Sequence, residues 1–325
     1  MVNSSMFLNT LPPPPAGKTG WPWTTSEIFS DNPSVDSWPK ISIITPNYNY
    51  VQFLEMTIRS VLLQGYPNLE YIIIDDGSTD GSADIIKKYA PWLTFWKIRF
   101  EQQGQTSALN EGFKMATGEI VNWLCSDDYL YPGALRSVAM HFRKDPQVDV
   151  VVGKSNIIHL KYNNQVWVFH PRAIDLIPVT VPFAQPSCFY RRSLLDRSAP
   201  LDESYDYLMA LELWSYFKSK GVRWKVIEDC ISAVHYSHTN KTCVGKEKIL
   251  DEHERIYRSY VAEKISLIFW HRLLRLPLER FLARHHSLWM IVIGPIWLFW
   301  TLLLGIFYGF RRVWYLRWKW VFKCV

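Results

Sequence analysis

Between residues 41 and 124, short apolar runs alternate with stretches whose apolar positions recur every three or four residues. "ISIIT" (41–45) is rich in β-branched side chains and stops at Pro46, which cannot donate to a ladder. Val51, Leu54, Ile58 and Val61 then fall at helical spacing, so a helix is expected from about Tyr50 to Gln64. "GYPN" breaks it, and "LEYIIID" (69–75) forms the next strand. "TDGSADIIKKYA" opens on Thr and Asp and carries Ile85, Ile86 and Tyr89 at helical spacing. "LTFWKIRF" reads as a third strand, "QTSALNEGFKMATG" as a third helix closed by a glycine C-cap, and "EIVNWL" as a fourth strand. Strand and helix in alternation imply a parallel sheet with right-handed crossovers.

In such sheets ligands bind beyond the carboxyl ends of the strands. Thr45-Pro46-Asn47-Tyr48, Asp75-Asp76 and Asp127-Asp128 all fall there. Turn chemistry accounts for any one of these clusters, but poorly for three at one sheet edge. No glycine-rich phosphate cradle of the dinucleotide or P-loop kind follows any of the strands. A divalent cation held by carboxylate oxygens would neutralise phosphate instead. The first acidic pair suits a base or ribose and the second suits metal.

Composition alters this picture mainly at the two ends. "LPPPPAGKTGWPW" (11–23) reads as an extended arm or linker. Residues 287–310 run 24 positions without a charge, long enough to cross a bilayer, with Gly294-Pro295 inside expected to kink the run. Basic residues flank both sides, and the aromatic-basic "WYLRWKWVFK" that follows suits a headgroup zone. Spanning, re-entrant and buried-core arrangements stay open. The net charge is +6, with Lys and Arg dense after about residue 255, which points toward anionic lipid and away from nucleic acid. Five cysteines without a C-x-x-C argue against a disulfide framework or zinc site and fit a reducing compartment.

"ISIITPNYNY", "YIIIDDGSTDGS", "NEGFKMATGEIVNWLCSDDYLYPGAL" and "QPSCFYRR" resemble the motif series of family 2 glycosyltransferases, in order, over about residues 40–260. The resemblance implies a GT-A fold, an α/β architecture with a Rossmann-like, mostly parallel sheet flanked by helices, here followed by a C-terminal membrane-associated helix. It also implies inverting transfer of a sugar from a nucleoside diphosphate with Mg²⁺ or Mn²⁺. Carried over, Thr45, Pro46 and Tyr48 would line the nucleobase pocket. Asp75 and Asp76 would hold the base, most often uracil, and its ribose, with Gln105 and Asn110 near the donor. Asp127 would face ribose or sugar hydroxyls, Asp128 would bind the cation bridging the diphosphate, and Gln185 would face the acceptor. Where many members carry a further Asp this chain has Cys125, a soft ligand poorly suited to Mg²⁺.

A second departure concerns the general base that inversion requires. Relatives place an Asp two residues before the acid of a "D-x-[DE]-L-W" run, whereas this chain reads Ala210-Leu211-Glu212-Leu213-Trp214. On a helix Glu212 lies about 200° round from Ala210, while Asp206, four residues earlier, shares its face. Asp206 is therefore the first substitute, if the helix begins that early, and Glu212 the second. The alternatives are that Asp206 caps the helix and Glu212 lies on its solvated face. "AVHYSHTNKT" resembles the family's phosphate-proximal region, so His238 would complete the metal shell or touch the diphosphate, and Lys241 would pair with phosphate. His235 reads as structural.

The implied organisation is an arm (1–39), a nucleotide-sugar half (40–152), an acceptor half (153–260) and a basic, aromatic C-terminal region (261–325) with its apolar segment at about 287–310. The expected function is hexosyl transfer from a nucleoside-diphosphate sugar, UDP-sugar favoured, to a glycan or polyprenyl-linked acceptor in cell-surface polysaccharide synthesis. The expected location is the cytoplasmic face of the cell membrane, in contact with membrane lipids through a C-terminal anchor. A catalytically silent nucleotide-sugar binder is the alternative, favoured by Ala210.

Overall fold

Every residue of β1 (Ile41–Asn47) is buried, as in a strand covered on both faces. The computed structural model describes residues 8–26, 38–159, 165–236, 245–284 and 289–316. β1 pairs in parallel with β2 (Leu69–Asp75) and β4 (Ile120–Trp123), and β2 pairs in parallel with β3 (Phe95–Ile98). Between these strands run α1 (Val51–Leu62), α2 (Ser82–Tyr89) and α3 (Gln105–Met115). Ile41 and Ile43 pack with Leu54, Ile58 and Val61 of α1 and Ile86 of α2 in one core cluster. Ile44 points the other way, against α3, where a Cβ on Gly112 would stand 2.4 Å from its Cγ2.

Two local departures from expectation have physical causes. β1 continues through Pro46, yet its pairing with β4 ends at Ile44. Ile44 directs its carbonyl toward Leu124 N at 2.8 Å, and Pro46 has the same parity, so the missing N–H leaves no ladder bond unmade. α3 ends not at a glycine cap but at Ala116, in extended conformation with φ −68° and ψ 129°. Gly118 instead permits a close approach, since a Cβ there would lie 2.4 Å from Ser42 Oγ.

Beyond β4 the sheet is mixed, which corrects the mostly parallel arrangement expected. β8 (Cys188–Arg191) lies antiparallel between β4 and β6 (Val150–His159). β6 pairs in parallel with β9 (Trp224–Tyr236) and antiparallel with β7 (Gln165–Phe169), and β9 pairs antiparallel with β5 (Tyr129–Leu130). The order is β3-β2-β1-β4-β8-β6-β9-β5, with β7 on β6. α4 (Ala134–Lys144) adds Leu135, Val138 and Phe142 to the core.

Nor is the proline-rich arm a free linker where it is described. Leu11 is buried in the main core, and Trp21 Nε1 donates to Leu130 O at 2.8 Å. Arg59 of α1, 1% exposed, donates to the carbonyls of Pro12 (2.8 Å), Pro22 (3.0 Å) and Trp23 (2.9 Å) and to Tyr89 Oη (3.0 Å). A buried guanidinium is tolerated only with its donors satisfied, and backbone oxygens of the arm satisfy it here.

These elements belong to one compact unit, comprising Met1–Pro171, Phe183–Asp206 and Gly221–Tyr236. The second comprises Arg172–Pro182, Tyr207–Lys220 and Ser237–Val325. It holds α5 (Met209–Ser219), α6 (Lys246–Tyr260), α7 (Leu267–Trp270), a π-helical turn (His271–Arg275), α8 (Leu276–Arg284), α9 (Trp289–Tyr308) and α10 (Phe310–Tyr315). Leu176, Val179, Tyr257, Leu267, Ile268 and Leu304 form its core. α9 is continuous through Pro295. Residues 287–288 of the expected apolar segment lie outside the described residues. Among the described residues no helix is long and apolar enough to cross a membrane.

Candidate functional site at the strand ends

The carboxyl ends of β1, β2 and β4 bring three polar loops into the first unit's site. β2 ends in Asp75, fully buried, whose carboxylate accepts from Asn47 Nδ2 (2.7 Å), Ser78 N (2.9 Å) and Ser78 Oγ (2.6 Å). Gly77 makes the turn at φ +86°, where a Cβ would come within 3.1 Å of the Glu101 backbone. Asp76 accepts from Arg99 Nη1 (2.8 Å) and from the backbone N–H groups of Gln103 (3.0 Å) and Gly104 (2.8 Å). Arg99 in turn forks onto Glu111 of α3 (Nε 3.1 Å, Nη2 2.8 Å). The two adjacent carboxylates thus do different work. Asp75 builds its own loop, and Asp76 ties the end of β3 to the start of α3.

The second pair follows β4. Cys125, Asp127 and Asp128 offer a sulfur and two carboxylate oxygens that all lie within 4.8 Å of one another. Burial pushes the Asp127 carboxyl up to about 6, and burial together with the charge of Asp127 pushes Asp128 well above the usual carboxylate range. Their loop is held from two sides. Thr57 Oγ1 of α1 lies 2.9 and 2.7 Å from the carbonyls of Ser126 and Asp128. His235 Nδ1 lies 2.6 Å from Asp127 O, so that nitrogen carries the proton, and the ring stacks on Phe53 with centroids 5.2 Å apart. The backbone N–H of His235 also supports Asp128. Tyr50 feels the cluster too: burial, then the charges of Asp127, Cys125 and Asp128, push its hydroxyl up to about 12.

The other expected residues fall as follows. Tyr48 is exposed, while Pro46 is buried. Thr45 is also buried, 3.1 Å from Tyr71 Oη, and faces the core rather than an opening. Gln105 starts α3 and donates to Cys125 Sγ at 3.4 Å, linking two of the loops. Asn110 is buried and donates to Leu201 O and Glu203 Oε1, each at 2.9 Å, so it fastens the 201–203 segment to α3. Gln185 donates to Trp123 O at 2.7 Å, at the end of β4. His238 and Lys241 lie outside the described residues.

For the base, the helical argument does not survive. α5 begins at Met209, so Asp206 precedes it and shares no helical face with Ala210. Asp206 does not cap α5 either, because Glu252 accepts from Tyr207 N (2.9 Å) and Leu208 N (2.8 Å). Asp206 is exposed, and its neighbour Tyr205 is pinned to α3 by Thr106 Oγ1 at 3.1 Å. Glu212 is 4% exposed, not solvated, and accepts from Tyr260 Oη at 2.6 Å within the second unit.

Arg99, Tyr50 and His235 were the residues that sequence reasoning missed or set aside. Arg99 sat inside an apparent strand, and Tyr50 at a predicted helix start. The signal for His235 was its position two residues after a buried β9 segment, legible only once β9 is known to border the acidic loop.

The site is a mixed sheet that gathers two acidic loops at its strand ends, and the comparisons connect it with a known class of transferase. Residues 42–198 match Glycosyl transferase family 2. An uncharacterized glycosyltransferase of Nostoc is 31% identical over 240 residues, 69% of this chain, which in turn spans 66% of that protein's length. One from Rickettsia typhi is 30% identical over 233 residues, covering 69% of this chain and 72% of its own. The chain belongs to glycosyltransferase family 2. Staphylococcus aureus TarS residues 1–349, solved with UDP-GlcNAc, shares the fold at 19% identity with a TM-score of 0.55, covering 82% of this chain and 80% of its own.

Proposed function

We propose that the protein is an inverting, metal-dependent hexosyltransferase that moves a sugar from a UDP-sugar to a glycan or polyprenyl-linked acceptor in cell-surface polysaccharide synthesis. It works at the cytoplasmic face of the membrane, attached by its C-terminal region, with residues 40–152 serving the donor and 153–260 the acceptor. The observation that carries this reading is the meeting of Cys125, Asp127 and Asp128 within 4.8 Å, beside the loop that Asp76 and Arg99 hold.

A divalent cation fits that donor set. Desolvation drives half-buried Asp127 toward its protonated form, and burial together with the Asp127 charge does the same to buried Asp128, so a cation between them would relieve both. Asp127 and Asp128 would hold Mg²⁺ or Mn²⁺, with Cys125 as a softer third donor. When bound, the cation would neutralise the charge growing on the departing diphosphate. Thr57 and His235 fix the loop, so the carboxylates need no rearrangement to receive it. Asp76, held by Arg99 Nη1 and the N–H groups of Gln103 and Gly104, would shape the loop that receives the base and ribose. Asp206, exposed and carried on a segment fastened to α3, takes the proton from the acceptor hydroxyl.

Thermal melts with each nucleoside diphosphate, with and without Mn²⁺, test the donor and metal assignments together. Stabilisation by UDP that requires the cation is expected, and indifference to every nucleotide refutes the reading. Ala210 at the usual base position favours a second reading, a silent nucleotide-sugar binder. Single-turnover transfer by the intact protein, abolished in Asp206→Asn, rejects that alternative.

A further inference from the structure

α9 and α10 present two unlike faces. On one, Trp297 Nε1 donates to Glu279 Oε1 of α8 at 2.9 Å, Leu304 is 4% exposed in the second unit's core, and Tyr308 Oη donates to Ile265 O at 2.9 Å. These residues recur at helical spacing, so α9 is fastened along that side. The opposite stripe is apolar and open. Phe299, Leu302, Ile306, Phe307, Phe310 and Trp314 are all exposed, Ile306 and Phe307 by 70% and 73%. Soluble surfaces rarely leave so continuous an apolar stripe uncovered.

Charge indicates what covers it. Residues 261–325 hold ten Lys and Arg against two Glu, whereas the whole chain has a net charge of only +6, so the remainder is net negative. The positive charge therefore brackets the apolar stripe in sequence, five Lys and Arg before α9 and five from Arg311 onward, of which Arg311 and Arg312 are paired with Asp175 and Glu263. A basic, tryptophan-rich flank suits an anionic headgroup layer. Spanning conflicts with the attachments. Glu279, which holds Trp297, is also paired at 3.2 Å with the fully buried Arg275, and a helix standing across the bilayer would draw that pair toward hydrocarbon or break it.

We propose that α9 and α10 lie flat in the interface of an anionic membrane, a monotopic anchor that dips one apolar face into the lipid without crossing it. This rests on the membrane attachment in the function proposed above and specifies its geometry. In that arrangement the second unit stays on the cytoplasmic side, and attachment is reversible and sensitive to salt.

The test uses the full chain with vesicles of phosphatidylcholine alone or with about 30% phosphatidylglycerol. Wild type is expected to sediment with the anionic vesicles, weakening as salt rises, and the triple substitution Phe299→Ser, Ile306→Ser, Phe307→Ser to bind at least about tenfold less. These side chains are exposed, so the variant should fold, and unaltered UDP-dependent thermal stabilisation checks that. A genetically encoded nitroxide residue placed in turn at 299, 302 and 306 measures depth. In-plane seating puts all three at one shallow level, whereas a crossing helix separates the outer two by about 10 Å along the membrane normal. Equal vesicle binding by variant and wild type, a depth spread of about 10 Å, or self-association without vesicle binding each overturns the proposal. Nucleotide stabilisation in the same samples reports separately on the glycosyltransferase reading, so the two fail distinguishably.

Discussion

In the cation-free protein Asp127 opposes folding at neutral pH. Burial raises its carboxyl to about 6, against 3.8 for an ordinary aspartate. A folded state that holds the proton more tightly than the unfolded chain has that stabilisation in full below pH 3.8 and loses it as pH rises through about 6. At about 1.4 kcal/mol per pH unit, the loss between about pH 4 and pH 7 is about 3 kcal/mol. Asp127→Asn keeps the side-chain size and removes the titration. In EDTA at pH 7.5 the variant is therefore expected to melt about 6 °C above wild type, at about 2 °C per kcal/mol for a chain of this size. The gap should close toward pH 4.5. Mn²⁺ should raise the wild-type melting temperature at pH 7.5 and have little effect on the variant, whose transfer activity should be lost. Melts by circular dichroism across this pH range decide the matter. A variant less stable than wild type at pH 7.5, or a gap indifferent to pH, would refute the idea that burying the Asp127 charge holds back stability that a cation restores.

Three further outcomes are expected. Asp206→Asn should lower kcat by about 10²–10⁴-fold while leaving UDP-dependent stabilisation intact, and an unchanged kcat in a transfer assay would remove Asp206 from the base role. Arg59→Met should cost about 3–5 kcal/mol in urea unfolding, because three arm carbonyls and the Tyr89 hydroxyl lose a charged donor. A loss within experimental error would mean the arm is held by its apolar contacts alone. Cys125→Asp supplies a third hard oxygen and should shift the preference from Mn²⁺ toward Mg²⁺ by about tenfold in cation titrations followed by melting, whereas an unmoved ratio would place the thiol outside the metal shell.

The first half of the sheet was legible because its information is local. Ile41, Ile43 and Ile72–Ile74 state strand, and Leu54, Ile58 and Val61 state helix, before any tertiary contact is known. The acidic loops were legible for the same reason, since each interrupts an apolar run. What followed β4 was not, because β8 enters between β4 and β6 by antiparallel pairing across long sequence separations, a choice no periodicity encodes. The base argument failed at one point: Glu252, some forty residues away, caps the chain at Leu208 and starts α5 later than spacing suggested. The role of Asn110 was equally hidden, because its partners at 201–203 come from another part of the chain.

Arg59 also changes where the folded body begins. The family match starts at residue 42, yet the oxygens that neutralise this cation are supplied by residues 12, 22 and 23. A polypeptide trimmed to the catalytic sheet would keep the guanidinium and discard its acceptors, leaving a solvent-starved charge beneath α1. The smallest piece that can stand alone is therefore longer than the stretch its kinship marks out, and tags or fusions placed at the front of the chain should leave those first two dozen residues undisturbed.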